Sequence, residues 1–259
     1  MHLSVLLAKK LKFMINVICL KWGNKYSADY VNRLLNMVKY NISSPFNFYC
    51  LTDDKKNLAD GVIAVDLPDI PLEGWWFKLY LFKDGLLSLK DGSKILFLDL
   101  DIIITGNIDP LFTYDQETLC ISSDINESRY NSSVMFFKTG KFGFIWDSFY
   151  IQKDWIMEKM HGDQDWIEYI YKGATIYPKS MIKSFKIDLN SKTPYSFGKL
   201  GKNLRKRFPK LAPKGETPYP EKTAIVLFHG KPDPKDVMEI AYDKYRKAPW
   251  IKDIYSKIE

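Results

Sequence analysis

Short apolar runs alternate along this chain with stretches in which apolar residues recur every three or four positions. Residues 15–20, 46–51 and 62–67 are strand-like, the last two closed by Thr52-Asp53-Asp54 and by Pro68. Between the first two runs, Ser27 stands where a helix cap belongs, and Val31, Leu34, Leu35 and Val38 mark the apolar face of the helix after it. The pattern then predicts a helix over 75–89, carried by Leu79, Phe82 and Leu86 and weakened by Asp84-Gly85, followed by a strand over 94–100. Strands over 119–123 and 134–138, a long aromatic helix over 142–160 and a shorter helix over 163–171 continue the alternation. An α/β fold follows, with a mostly parallel central sheet flanked by helices and with sites at the carboxyl ends of its strands.

The rhythm breaks after Ile187. Residues 190–222 hold five prolines and the basic cluster Lys202, Arg205, Lys206, Arg207 and Lys210, and read as a long irregular insertion in one domain spanning 14–259. A strand over 223–228 and a terminal helix over 236–246 come next. Residues 1–13 place a short apolar core ahead of Lys9, Lys10 and Lys12, the reverse of a secretory signal, so they read as a leader with Met14 an alternative start.

Composition sharpens this reading. With 46% hydrophobic residues in 259, the chain can bury a large core, which excludes disorder and collagen-like repeats. No apolar run reaches the roughly 18–20 residues that cross a bilayer. Cys19, Cys50 and Cys120 each lie in an apolar run, which predicts reduced core thiols and a cytoplasmic location. The net charge of +7 raises the class of basic nucleic-acid-binding modules, but the excess is concentrated after residue 170 without a nucleic-acid motif, so no nucleic-acid partner is expected.

The sharpest chemical signal is the run 95–103, Ile-Leu-Phe-Leu-Asp-Leu-Asp-Ile-Ile. Asp99 and Asp101, two apart at the end of an apolar strand, can converge on a hard divalent cation where the chain turns. The plainer alternative is two acids facing solvent, yet apolar residues resume directly after Asp101. His229 ends another apolar strand and is followed by Gly230-Lys231-Pro232. Imidazole can complete a carboxylate site for Mn²⁺ or Mg²⁺, glycine admits a phosphate close to the backbone, and lysine offers it a charge. A lone histidine is more often a surface or capping residue; its pairing with the two acids favours a metal and diphosphate site.

These residues carry a resemblance. Residues 97–112, including Asp99, Asp101 and Gly106-Asn107-Ile108-Asp109-Pro110, are similar to the metal-binding segment of the GT-A (Rossmann-like) glycosyltransferases, family 8 in particular, the group of glycogenin and the lipooligosaccharide galactosyltransferases. Other segments fall in that family's order over 14 to about 240: Asn24-Lys25-Tyr26, Lys78 in Trp76-Phe77-Lys78-Leu79, Asn131-Ser132-Ser133-Val134, Asp163-Gln164, and His229-Gly230-Lys231-Pro232. The resemblance implies a metal-dependent transfer of sugar, with retention, from a nucleotide-sugar donor such as a UDP-sugar to a glycan, glycolipid or acidic acceptor. It implies Asp99, Asp101 and His229 as ligands of Mn²⁺ or Mg²⁺, and Tyr26, Lys78, Asn131, Gly230 and Lys231 around the donor. Asp163 and Gln164 are then the catalytic pair beside the sugar, although Asp163 also fits a helix N-cap. The tryptophan that often follows the closing proline in the family is replaced by Asp233, and Leu20-Lys21-Trp22-Gly23 departs from its threonine-rich nucleotide segment.

Two other enzyme classes share parts of the pattern. A haloacid-dehalogenase-type phosphatase also ends an apolar strand in Asp-x-Asp, but on its first strand, whereas three strands precede Asp99; a nucleotidyltransferase on a related fold is the nearer alternative. The basic 202–210 stretch, with Leu204 and Phe208 forming a seam if 204–208 is a helical turn, is expected to serve the acceptor or to rest peripherally on a membrane.

Overall fold

The computed structural model describes residues 14–190, 203, 204, 207, 208 and 214–259. The leader over 1–13 lies outside these residues, as do Lys202, Arg205, Lys206 and Lys210 of the basic insertion. Within the insertion, the Phe208 amide donates to the Leu204 carbonyl at 2.7 Å, which is the helical-turn spacing, and both side chains are exposed.

The first strand, β1 (Ile15–Lys21), is followed by α1 (Ala28–Asn41), β2 (Phe46–Thr52) and β3 (Val62–Asp66). Ser27 occupies the N-cap position of α1 without capping it through its side chain, which turns to Asp29 instead. Next come β4 (Lys94–Leu98), the short β5 (Ile103–Ile104), β6 (Cys120–Ser123) and β7 (Tyr130–Lys138). Helices α2 (Gly143–Ile151), α3 (Lys153–Lys159) and α4 (Asp163–Ile170) are followed by β8 (Thr175–Ile176), β9 (Ile182–Ser184), β10 (Ile225–Leu227) and α5 (Trp250–Ile258).

Seven strands form one sheet in the order β3-β2-β1-β4-β7-β6-β8. From β3 to β4 the strands run parallel; β7 is antiparallel to both β4 and β6, and β8 is parallel to β6. The period of two along each central strand divides the interior into two cores. Val17, Leu96, Leu98 and Phe136 face one core with α1 and α5, while Ile18, Ile95, Phe97 and Phe137 face the other with Trp76, Trp146 and Trp166. Each such side chain, fully buried, contributes roughly 1.5–3 kcal/mol. A second sheet, β5-β10-β9, packs on the first core and brings the end of β10 to the carboxyl edge of β4. The three cysteines are free and buried, as their apolar runs predict.

Several predicted elements take another form. The 75–89 stretch is two 3-10 turns, Gly74–Phe82 and Leu86–Ser88, separated at Gly85, whose φ of 72° no helix accommodates. The long helix over 142–160 divides at Gln152 into α2 and α3, and β7 starts at Tyr130, earlier than the predicted 134. The terminal helix over 236–246 is absent: residues 234–236 make one 3-10 turn, Tyr242 and Tyr245 pair across a tight turn, and Asp243 has a φ of 50°. The terminal helix is α5, which buries Trp250, Ile251 and Ile254 after Pro249.

Candidate active site

Strand β4 delivers the central acids. Pairing of β4 with β7 continues past its end through the Asp99 amide, which donates to the Ser133 carbonyl at 2.9 Å. Asp99 therefore leaves the sheet beside the first residues of β7, and Asp101 follows one turn later. A cleft of about 360 Å³ opens there, lined by Asp99, Asp101, Lys78, Asn131, Ser132, Asp163, Gln164, His229 and Gly230. A second lobe of about 230 Å³ shares Lys25, Trp75, Lys78 and both acids with it, and adds Trp22 and Tyr26. Both volumes approach or fall in the roughly 300–1,000 Å³ range of small-molecule sites.

Lys78 is only 7% exposed, and its ammonium donates to Asp99 Oδ2 at 2.8 Å and Ser132 Oγ at 3.2 Å. Burial works against this charge, but Asp99, Asp163 and Asp101 outweigh it and raise the lysine pKa. Tyr26 donates its phenol proton to Asp101 Oδ2 at 2.9 Å, and its ring leans on Tyr30 with centroids 4.8 Å apart. Burial and then the charge of Asp99 raise the Asp101 pKa, opposed by the Tyr26 hydrogen bond and by Lys25 and Lys78. Two carboxylates thus repel each other at the mouth of β4.

Helix α4 presents the second pair. Asp163 is its first residue, after Gly162 at the N-cap position, so the aspartate is not itself the cap that its sequence allowed. It is 3% exposed; burial, followed by the Asp99 charge, raises its pKa against the pull of Lys78 and a Ser132 hydrogen bond, and its Oδ2 has no partner. Gln164 accepts from Asn131 Nδ2 at 3.2 Å and donates to Asp124 Oδ2 at 3.4 Å, which fixes the plane of its amide. Trp75 lies against the head of this helix: a Cβ on Gly162 would stand 2.9 Å from its indole nitrogen, so glycine is required for that approach. The indole is 54% exposed and lines both lobes.

His229 arrives from β10 with a φ of 46°, and Lys186 Nζ donates to its carbonyl at 2.6 Å. Its Nδ1 lies 3.4 Å from Asn131 Nδ2 and 3.7 Å from Asp124 Oδ1, while Nε2 is buried without a partner. Burial lowers its pKa, which keeps the ring neutral, as a metal ligand must be. Among the described residues no three His, Cys, Asp or Glu side chains are gathered closely enough to hold an ion. Asp99, Asp101 and His229 line one cleft without forming a ready cage. Their chemistry nevertheless fits Mn²⁺ or Mg²⁺, since two mutually repelling carboxylates and an orphaned imidazole nitrogen all gain from a shared cation.

One expected donor residue stands outside both lobes. Lys231 does not line the cleft; its ammonium is held by Asp233 Oδ2 at 2.6 Å and Asp236 Oδ2 at 2.9 Å. Tyr26 is a hydrogen-bonded, half-buried wall, and Trp22 and Trp75 are the exposed aromatics of its lobe. Sequence reading missed both tryptophans and Asp124, although Trp22 directly follows β1 and Asp124 directly follows β6.

No family model matches the sequence, and no curated protein matches it. Solved structures do. The galactosyltransferase LgtC, in complex with donor and acceptor sugar analogs, is 16% identical with a TM-score of 0.59 over 93% of this chain and 95% of its own. An active-site glutamine-to-glutamate mutant of LgtC is 14% identical with a TM-score of 0.60 over the same shares. The fold is GT-A. The glycosyltransferase GlyE of Streptococcus pneumoniae TIGR4 matches at 14% identity and a TM-score of 0.63, over 94% of this chain and 62% of GlyE. At these identities the likeness is one of architecture, and it agrees with the fold that the ordered motifs imply. In this GT-A chain the cleft lies where an α/β sheet places its sites, outside the carboxyl ends of parallel strands.

Proposed function

We propose that this protein is a metal-dependent glycosyltransferase that moves a sugar from a nucleoside-diphosphate donor, a UDP-sugar first among them, to a glycan or glycolipid with retention. The observation that carries the reading is the convergence of Asp99, Asp101, Lys78, Asn131, Asp163, Gln164 and His229 on one cleft of the GT-A fold. That LgtC binds donor and acceptor sugar analogs, and that one of its glutamines is an active-site residue, supports it.

Asp99, Asp101 and His229 would hold Mn²⁺ or Mg²⁺, whose charge would offset that developing on the departing diphosphate. Lys78 holds Asp99 in place until then and adds a fixed positive charge to the floor. Asp163 Oδ2 is free to accept a sugar hydroxyl, and the Gln164 amide, braced by Asn131 and Asp124, would stand beside the anomeric carbon. Trp22, Tyr26 and Trp75 offer the aromatic lobe that a base requires.

A panel of nucleotide sugars incubated with Mn²⁺ tests this. Release of nucleoside diphosphate is expected; release of nucleoside monophosphate and sugar 1-phosphate would indicate a nucleotidyltransferase, and inorganic phosphate from a phosphomonoester supplied in a parallel reaction would indicate a phosphatase. Proton NMR of fresh product should show the donor's anomeric configuration, and inversion would refute the role given to Asp163 and Gln164.

A further inference from the structure

A separate depression of about 390 Å³ lies on the outer side of α4, and its walls His161 and Asp165 are also walls of the reaction cleft. The two are therefore neighbours along one surface path that passes the head of α4. Tyr169 forms the floor of an aromatic platform. Tyr169 is 63% exposed, and its ring stacks on that of Trp166, with centroids 5.8 Å and planes 27° apart. Trp166 is itself anchored, donating Nε1 to the Ile145 carbonyl at 3.0 Å, so the platform is rigid.

Arg129 lines the same depression. Its guanidinium is braced by Glu168 at 2.6 Å and Asp165 at 3.2 Å, which fixes a planar array of donors beside two acceptors. Lys159 and Lys172 line it too, paired with Glu158 at 2.6 Å and Glu168 at 3.6 Å. Carbohydrates are bound by this combination: an aromatic face takes the C–H side of a pyranose, and planar charged groups take its vicinal hydroxyls. A lipid would need a broad apolar surface, and among the described residues Tyr169 and Met160 are the apolar linings here.

We propose that this depression is a distal acceptor subsite, which holds the second or third residue of an oligosaccharide whose terminal sugar enters the cleft. The proposal rests on the transferase reading above. It makes acceptor length, rather than the terminal sugar alone, a determinant of specificity, with Tyr169 the residue that reads it.

The test uses the full chain with Mn²⁺ and the donor it hydrolyses best. Whichever panel glycan is elongated is shortened one residue at a time to the monosaccharide, and kcat/KM is measured along the series. Wild type should favour the longer acceptor over the shortest by roughly tenfold, about 1.4 kcal/mol. Tyr169→Ala should bring that ratio close to one, and Tyr169→Phe, which keeps the ring, should retain it. Thermal melts of both variants exclude misfolding as the cause, since Tyr169 is largely exposed. An equal length preference in wild type and Tyr169→Ala, or none in wild type, overturns the subsite. Donor hydrolysis with no glycan elongated also overturns it while leaving donor chemistry standing. Absence of any nucleotide-sugar hydrolysis refutes the transferase reading instead.

Discussion

The two walls of the cleft are built differently. One wall, Lys78, Asp99, Asn131, Asp163 and Gln164, grows from the 3-10 turn over Gly74–Phe82, the ends of buried strands and the head of α4, and its side chains bond to one another. The other wall is the segment after β10, where His229 and Gly230 have φ values of 46° and 69° and Lys231 is turned away to Asp233 and Asp236. The first wall is held in its working shape by packing, whereas the second spends its charge on its own carboxylates. Pre-organisation is therefore uneven, and a bound diphosphate would have to win Lys231 from two aspartates.

That contrast can be broken from the strong side first. Lys78→Ala leaves the Asp99 carboxylate without its buried counter-ion, so it should cost about 3 kcal/mol of stability, read from the urea midpoint. An unchanged midpoint would show that the fixed wall does not depend on the pair. Asp101→Asn should lower turnover about 10²-fold, about 2.7 kcal/mol of lost transition-state stabilisation, and excess chelator should do the same to wild type. Full activity of Asp101→Asn in chelator would sink the metal role. On the second wall, His229→Ala should cost less, about tenfold in kcat/KM at saturating Mn²⁺. The smallest effect has the opposite sign. Asp236→Asn still accepts the Asp233 amide but releases part of the hold on Lys231, so nucleoside diphosphate should bind about threefold more tightly by calorimetry. Weaker binding in that variant would mean that the clasp aids the donor rather than competing with it.

The same division explains what could be read from the chain. The 15–20 and 94–100 runs are legible because β1 and β4 are buried on both faces, and α1 because its apolar residues fall on one stripe. Asp99 and Asp101 stand out as acids in an apolar run, whereas Asp163 is reached only through the resemblance of Asp163-Gln164, and burial raises the pKa of both Asp101 and Asp163. Trp22 and Trp75 did not stand out, because an aromatic residue reads alike in a core and in a cleft. Strands β5, β8 and β9, of two or three residues each, are too short to show a period. The false helix over 236–246 arose from spaced apolar residues whose backbone is bent by Asp243, while α5 carried its own signal in Pro249 and Trp250. Lys231 was named as a phosphate ligand from its position after His229, but the competing carboxylates two and five residues later decide where its ammonium goes.

The separation along the chain of the groups that meet in the cleft sets an order of assembly during synthesis. The Lys78 to Asp99 contact spans 21 residues and the Tyr26 to Asp101 contact 75, whereas Asn131 waits 98 residues for His229. A chain emerging from its N-terminus can thus close the aromatic lobe and the acid pair long before β10 exists to cover Ile103 and Ile104. The cleft would be completed last at His229, so a chain interrupted before residue 225 would expose an apolar β5 edge while already carrying most of the aromatic lobe.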